Sequence, residues 1–285
     1  MTRSVLMSSI RIATWNVNSI KVRLPHLLQW LASQEKKDAP IDALCLQELK
    51  LTEDKFPFSE LDAAGYFALV AGQKTYNGVA LLLRKSSLAA TAQDAETAFL
   101  SPVKNNPKFT DEQQRLVSAT VAFKGRAPIR LISAYFPNGQ APGTEKFSYK
   151  MKWLAGLHDW LSETIEEHPR VALLGDYNIA PADEDVHDPK AWEGQNLVTP
   201  EERDAFSGFI ELGFYDSYRL FDQLPKSFSW WDYRMMGFRR NAGVRIDHIL
   251  LSDELKNECT ASFIDKVPRG WEQPSDHAPV ITTLG

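Results

Sequence analysis

The sequence predicts an α/β fold, and three observations carry that prediction. Apolar runs, such as residues 41–46 and 171–174, break off abruptly at polar side chains, as strands buried on both faces do. Between such runs, apolar residues recur at helical spacing: Leu24, Leu27, Leu28 and Leu31 in one stretch, and Phe147, Met151, Leu154, Leu161 and Ile165 in another. Residues 116–123 and 129–135 alternate like a pair of antiparallel strands. Helices therefore cover a sheet. With no Ser/Gly linker and no fixed-period repeat, one continuous domain is expected.

In chain order, residues 10–15 form a first strand that runs into Asn16-Val17-Asn18-Ser19. Residues 24–37 are the first helix, with Pro25 in its first turn. Residues 41–46 are a second buried strand ending at Gln47-Glu48. A charge set directly on an apolar strand is costly unless paired, so Glu48 suggests a partner cation. The turn Tyr76-Asn77-Gly78 introduces a third strand over 79–83.

The antiparallel pair, joined through Lys124-Gly125-Arg126, ends at Tyr135-Phe136-Pro137-Asn138-Gly139. Tyr135 there is either core before a turn or a hydroxyl reaching a crevice. A long helix over 145–168 is stopped by Pro169, and the strand after it delivers Asp176 and Asn178 to its carboxyl end. In open α/β sheets ligands bind beyond such ends, although an Asx turn would use the same residues. A short helix over 206–213 is expected to turn Phe209, Ile210 and Leu212 inward.

Phe228, Trp230, Trp231 and Tyr233 are too many aromatics for one strand face, so one or two should border a surface or pocket. Residues 244–251 read as a strand with Asp247 on the face of Ile249 and Leu251, and 280–283 as the closing strand. Before the latter lies Ser275-Asp276-His277. Adjacent side chains diverge, so His277 needs a distant carboxylate, for which Asp247 is the candidate.

With 285 residues, 44% hydrophobic and 24% charged, the chain has the composition of an ordinary globular protein. No segment approaches a membrane span, and the first ten residues lack the apolar core of a secretory signal, so a cytosolic location is expected. Translation could start at Met1 or Met7, with residues 1–9 a flexible extension before a domain over 10–285. Cys45 and Cys259 are read as reduced thiols. The net charge of −5 excludes a simple electrostatic nucleic-acid binder. Any such contact must be local: at Arg234, Arg239, Arg240 and Arg245, or at residues 104–108, which read as a solvated basic loop.

Motifs for serine hydrolases, P-loop enzymes, dinucleotide enzymes and zincins are absent from the sequence. The remaining carboxylates, amides and imidazole suit hard cations such as Mg²⁺ or Mn²⁺, typical of phosphate chemistry.

Trp15-Asn16-Val17-Asn18, Gln47-Glu48, Tyr135-Phe136-Pro137-Asn138, Gly175-Asp176-Tyr177-Asn178, Arg245-Ile246-Asp247 and Ser275-Asp276-His277 stand in an order and spacing that resemble the exonuclease III family of abasic-site endonucleases. The resemblance spans nearly the whole chain. Residues 228–247 look especially like its bacterial branch, and the wider endonuclease/exonuclease/phosphatase superfamily shares part of the set. It implies a four-layered α/β sandwich, two mixed β-sheets packed face to face and flanked by helices.

It also implies Glu48 as principal Mg²⁺ ligand, with Mn²⁺ as substitute; Asn16, Asn18 and Asp276 would be direct or water-mediated ligands, and Asp176 and Asn178 would lie at the same centre. Asp176 would deprotonate the attacking water and Asn178 hold that water or a phosphate oxygen. His277, oriented by Asp247, would stabilise the transition state, and Tyr135 would serve the phosphate or the leaving oxygen. Trp230, Val244 and Ile246 match a pocket for an extrahelical abasic sugar, and Arg115 and Asn138 match phosphate contacts.

The chain departs from the family at Asn18, where many relatives have Asp, at Leu49, where Thr is usual, and at Val244, smaller than the aromatic or Leu found elsewhere. The implied partner is double-stranded DNA with abasic sites or 3′ ends, cut by a monomer with no membrane association. Two other readings stay open: a superfamily phosphomonoesterase acting on a lipid or inositol phosphate, and a non-catalytic nucleic-acid-binding regulator.

Overall fold

The computed structural model describes residues 9–285, so the expected extension over 1–9 and the choice between Met1 and Met7 lie, Ser9 apart, outside the described residues. The strands are β1 (Ile10–Asn16), β2 (Ala43–Gln47), β3 (Tyr66–Ala71), β4 (Val79–Arg84), β5 (Leu100–Lys104), β6 (Leu116–Val121), β7 (Ile129–Tyr135), β8 (Val171–Asp176), β9 (Phe214–Asp216), β10 (Asp247–Ser252), β11 (Cys259–Ile264) and β12 (Val280–Leu284). They form two six-stranded sheets, ordered β11-β12-β1-β2-β4-β3 and β5-β6-β7-β8-β10-β9.

Each sheet has one parallel pair at its centre, β1/β2 and β7/β8, among antiparallel neighbours. Parallel neighbours need a long crossover, and helices Ile20–Glu35 and Glu145–Glu167 supply it. Each crossover helix covers the outer face of its own sheet. Leu27, Trp30 and Leu31 pack on Ala13, Trp15, Leu44 and Leu46, while Trp153, Leu157 and Leu161 pack on Ile132, Val171 and Leu173. The alternate residues, Ile12, Cys45 and Leu81 from one sheet and Val117, Leu131, Leu174 and Ile249 from the other, share a core between the sheets. The result is the four-layered sandwich implied by the resemblance, with the carboxyl ends of β1, β2, β7 and β8 meeting at one rim.

Several elements differ from the sequence expectation. The sequence expectation places no strand at β3, β5, β9 or β11, and β3 alone makes residues 79–84 the fourth strand rather than the third. The first helix starts at Ile20, which places Pro25 beyond the first turn; the carbonyl it deprives of a partner belongs to Lys21, on the exposed face. Helix Pro200–Glu211 starts earlier than expected, at a capping box in which Thr199 and Glu202 bond reciprocally. Its buried stripe is Glu202, Phe206 and Phe209, so Ile210 is turned outward and is 38% exposed instead of inward. Residues 244–246 are not part of β10; Val244 bridges to Trp230 and Val186 instead. Both cysteines are free, as expected. Among the described residues no helix is long and apolar enough to cross a membrane.

Candidate active site

The rim of the sandwich collects the polar residues that end the central strands. Asn16 Nδ2 donates to Glu48 Oε1 at 2.8 Å and to Asp176 Oδ2 at 2.9 Å, which joins β1 and the end of β2 to β8 across the two sheets. Tyr135 donates its hydroxyl to Glu48 Oε1 at 3.0 Å. From β10, Asp247 Oδ2 lies 2.9 Å from His277 Nδ1, while His277 Nε2 lies 3.7 Å from Asp176 Oδ2. The distant carboxylate that His277 needs is therefore Asp247. Ser229 Oγ fixes the Asp247 backbone by accepting from its N–H at 3.0 Å.

The chain reverses sharply as it leaves these strands. Asn18, Glu48 and Asn178 have left-handed backbone, with φ of 37°, 52° and 49°. Such a conformation costs a non-glycine residue about 1–2 kcal/mol, so the surroundings must hold it. Asn178 N donates to Asp176 Oδ1 at 2.9 Å, so the segment is an Asx turn, and the turn lies at the rim where the other polar strand ends meet.

Electrostatics separates the roles of these groups. Burial pushes the Asp176 carboxyl up to about 7, against the pull of His277 and with help from Asp247, so Asp176 is poised to accept a proton near neutrality. Burial alone would lower His277, yet Asp247 and Asp176 hold it up to about 10, which favours an imidazolium whose Nδ1 donates to Asp247 and whose Nε2 lies 3.7 Å from Asp176. Tyr135 is held well above its ordinary range by burial and then by Glu48 and Asp176, so its hydroxyl remains a donor.

The donor set fits a hard divalent cation. Ligand atoms of Glu48, Asp176 and His277 lie within 4.8 Å of one another, and the carboxylates are the members that suit such an ion. Lys50 Nζ already rests 2.8 Å from Glu48 Oε2 and 2.6 Å from Asn18 Oδ1, an ammonium seated on two of the expected oxygens. Asp276 lies to one side of this cluster. Its Oδ1 accepts from Asn18 Nδ2 at 2.8 Å and its Oδ2 from Trp230 Nε1 at 3.0 Å, so it orients Asn18. Burial would raise its pKa, but His277 and those two donors leave it lowered and the group anionic.

Two clefts flank the turn at residues 138–140. One, of about 590 Å³, opens over Glu48, Asp276 and His277 and is walled by Trp192, Leu197 and Trp230. The other, of about 950 Å³, runs past Tyr135, Arg115 and Tyr149. Asn138 borders both and donates to Asn178 Oδ1 at 2.9 Å. Arg115 packs over the Tyr135 ring at 5.1 Å.

Val244 and Ile246 do not line either cleft. They are buried beneath Trp230 in a small apolar cluster and form its floor. The aromatic segment divides as expected: Phe228 and Trp231 are core, Trp230 walls a cleft and Tyr233 is 49% exposed.

The expected basic patch needs correction. Arg245 is buried, with Nε 2.6 Å from Asp185 and Nη1 2.8 Å from Asp216, so it braces the loop before β10 and is closed to nucleic acid. Residues 104–108 are partly exposed, but Lys104 pairs with Glu53 and Lys108 with Glu163.

Sequence reasoning missed Lys50 as a partner of Glu48, and it missed the buried Lys150–Glu202 pair beneath Asn178. Signals existed for both members of the second pair. Lys150 interrupts an apolar helical stripe, and Glu202 completes a Thr-x-x-Glu box before a helix.

Similarity to known proteins agrees with this geometry. Exodeoxyribonuclease III of Haemophilus influenzae is 32% identical over 279 residues, which cover 95% of this chain and 98% of that protein. The DNA repair nuclease APEX1 of Danio rerio is 28% identical over 97% of this chain and 83% of its own length. Among solved structures, the Neisseria 3′ phosphatase NExo bound to a product DNA hairpin superposes with a TM-score of 0.86 at 39% identity, covering 97% of this chain and 99% of that one. An AP endonuclease from Archaeoglobus fulgidus gives 0.84 at 32% identity, over 96% and 99% of the two chains. Residues 13–277 match the endonuclease/exonuclease/phosphatase family as a whole. The chain belongs to that family.

Proposed function

We propose that this chain is a Mg²⁺-dependent DNA-repair phosphodiesterase that incises 5′ of abasic sites in duplex DNA and removes nucleotides or blocking groups from 3′ ends. The observation that carries the reading is the convergence on one rim of a carboxyl able to take a proton, Asp176, and an imidazolium able to stabilise charge, His277. Relatives along the whole chain are an exodeoxyribonuclease III, a DNA repair nuclease, a 3′ phosphatase and an AP endonuclease.

In this mechanism Asp176 accepts the proton of the attacking water, which Asn178 holds in line with the scissile P–O bond. His277, kept in orientation by Asp247, donates Nε2–H to a non-bridging phosphoryl oxygen. Tyr135 donates its hydroxyl to the phosphate or to the departing oxygen. Glu48, with Asn16 and Asn18 beside it, would hold Mg²⁺, or Mn²⁺ in its place; when bound, the cation neutralises charge on the phosphoryl oxygens.

Recognition is local, as a net charge of −5 requires. Trp230 over its Val244 and Ile246 floor gives an apolar wall for a sugar that has lost its base, and Asn138 and Arg115 flank the phosphate path. Residues 10–285 would act as a single catalytic domain and a monomer, in the cytoplasm and on the nucleoid when engaged with DNA.

The test is a labelled duplex carrying one abasic-site analogue, beside an intact duplex with a recessed 3′ end, each with Mg²⁺ and with EDTA. Mg²⁺-dependent incision at the analogue and digestion from the recessed end are expected. Activity that persists in EDTA, or inactivity on both substrates, overturns the proposal. Digestion of the recessed end alone overturns its abasic-site half.

A further inference from the structure

Lys150 sits within the apolar stripe of helix Glu145–Glu167 and is completely buried. An ammonium has three hydrogens to donate, and Lys150 has a distinct destination for each. One goes to Glu202, itself fully buried. The others go to the backbone carbonyls of Asn178, at 2.7 Å, and Asn138, at 3.3 Å. Glu202 is held in turn, its Oε2 accepting from Thr199 N at 3.0 Å and Thr199 Oγ1 at 2.9 Å.

A buried ion pair is rarely needed for the fold, because apolar residues of similar volume often replace one without loss. The destinations are what set this pair apart. Asn138 and Asn178 follow β7 and β8, and their carboxamides bond to each other at the site. Asn178 is in left-handed backbone, and its Nδ2 reaches Phe136 O at 3.1 Å. Gly139, with φ of +84°, lets the turn settle on the lysine stem; a Cβ there would come within 2.9 Å of Lys150 Cδ.

We propose that Lys150, charge-balanced by Glu202, is a positioning residue that sets the Asn138 and Asn178 turns so that both carboxamides face the scissile phosphate. The inference rests on the reading that Asn178 serves the reacting water or phosphate.

The experiment compares Lys150→Met/Glu202→Leu and Lys150→Arg with the wild type and with Asn178→Ala, measuring Tm, kcat and KM on a recessed 3′ end with Mg²⁺. The double substitution removes both charges at similar volume but leaves the buried Asn178 carbonyl and Thr199 N–H without these partners, so it is expected to stay folded with a lowered Tm. Its kcat is expected to fall by about ten-fold or more with KM changed less than about two-fold. Lys150→Arg keeps the charge opposite Glu202 and is the second variant should the double one be lost. It cannot aim a planar fork at both carbonyls, so a fall in kcat of about five-fold or more is expected. A folded variant of either kind with wild-type kcat, while Asn178→Ala is slow, overturns the role of Lys150 and leaves the active-site reading intact. Wild-type kcat in Asn178→Ala removes that reading and this inference with it.

Discussion

Asn16 Nδ2 lies 2.9 Å from Asp176 Oδ2 and 2.8 Å from Glu48 Oε1, so one carboxamide ties the central strands of one sheet to the central strand of the other. Its own oxygen accepts from Asn18 N at 3.2 Å, which fixes which way the amide points. A donor shared between two carboxylates lets them stand close without full repulsion. Asn16→Ala should therefore lower kcat on a recessed 3′ end by about 10–100-fold and weaken metal binding, measured by titrating Mg²⁺ against rate. Asn16→Asp should be worse than Asn16→Ala, because it replaces the donor with a further negative charge. An Asn16→Asp protein as fast as wild type would show that the amide hydrogens are irrelevant.

Asp247 is held against His277 and also raises the Asp176 carboxyl through its charge. Its Oδ2 and Oδ1 lie 2.9 and 3.1 Å from His277 Nδ1, and among the described residues no other side chain bonds that ring nitrogen. Asp247→Asn keeps the size of the group but loses the charge that stabilises an imidazolium. We expect kcat to drop by about 10²–10⁴-fold with the far-ultraviolet spectrum and Tm near those of the wild type. Single-turnover kinetics with preformed complex separates this from a loss of DNA binding.

Gly175 precedes the proposed base and lies beside β7, opposite Ala134. A Cβ built there falls 1.9 Å from the Ala134 carbonyl oxygen, a contact that only displacement of one strand can relieve. Gly175→Ala should cost about 3 kcal/mol or more, measured as a fall in the urea midpoint, and any folded fraction should be inactive because Tyr135 and Asp176 end the two strands involved. A variant of wild-type stability would mean that the strands can part without cost.

How much of this was legible in the sequence depended on the kind of signal. Runs such as 171–174 and 41–46 announced buried strands, and the residues ending them, Asp176 and Glu48, converge at the rim as strand topology requires. β3 was invisible because Phe67, Ala68 and Leu69 are only half buried, so neither alternation nor a continuous core pattern emerges. Ile210 looked inward because periodicity identifies an apolar residue without saying which side of the stripe meets the sheet. Arg245 looked like a basic patch, since charge in a sequence carries no depth; Asp185 and Asp216, distant along the chain, are what bury it. Val244 and Ile246 were legible as apolar neighbours of Trp230 but not as the layer beneath it.

The same buried network gives the protein an acid limit. His248 is fully buried; its Nδ1 lies 3.0 Å from Arg245 Nη1, which can only donate, and its Nε2 lies 2.9 Å from Ile179 O, which can only accept. The partners thus require the neutral tautomer with its proton on Nε2, and a second proton on Nδ1 would face a guanidinium. Burial, and then Arg245, lower His248 from 6.5 to about 4. In the unfolded chain it titrates near its ordinary value, so between those limits the unfolded state binds more protons. The stability contribution is complete above about pH 6.5 and is lost as pH falls toward 4, on the order of 3 kcal/mol in all. Urea midpoints at pH 7, 5.5 and 4.5 should fall steeply for the wild type. They should fall less steeply for His248→Asn, which starts from a lower midpoint at pH 7 because it loses the bond to Ile179 but has no proton to gain. Parallel curves for the two proteins would place the acid limit elsewhere in the molecule.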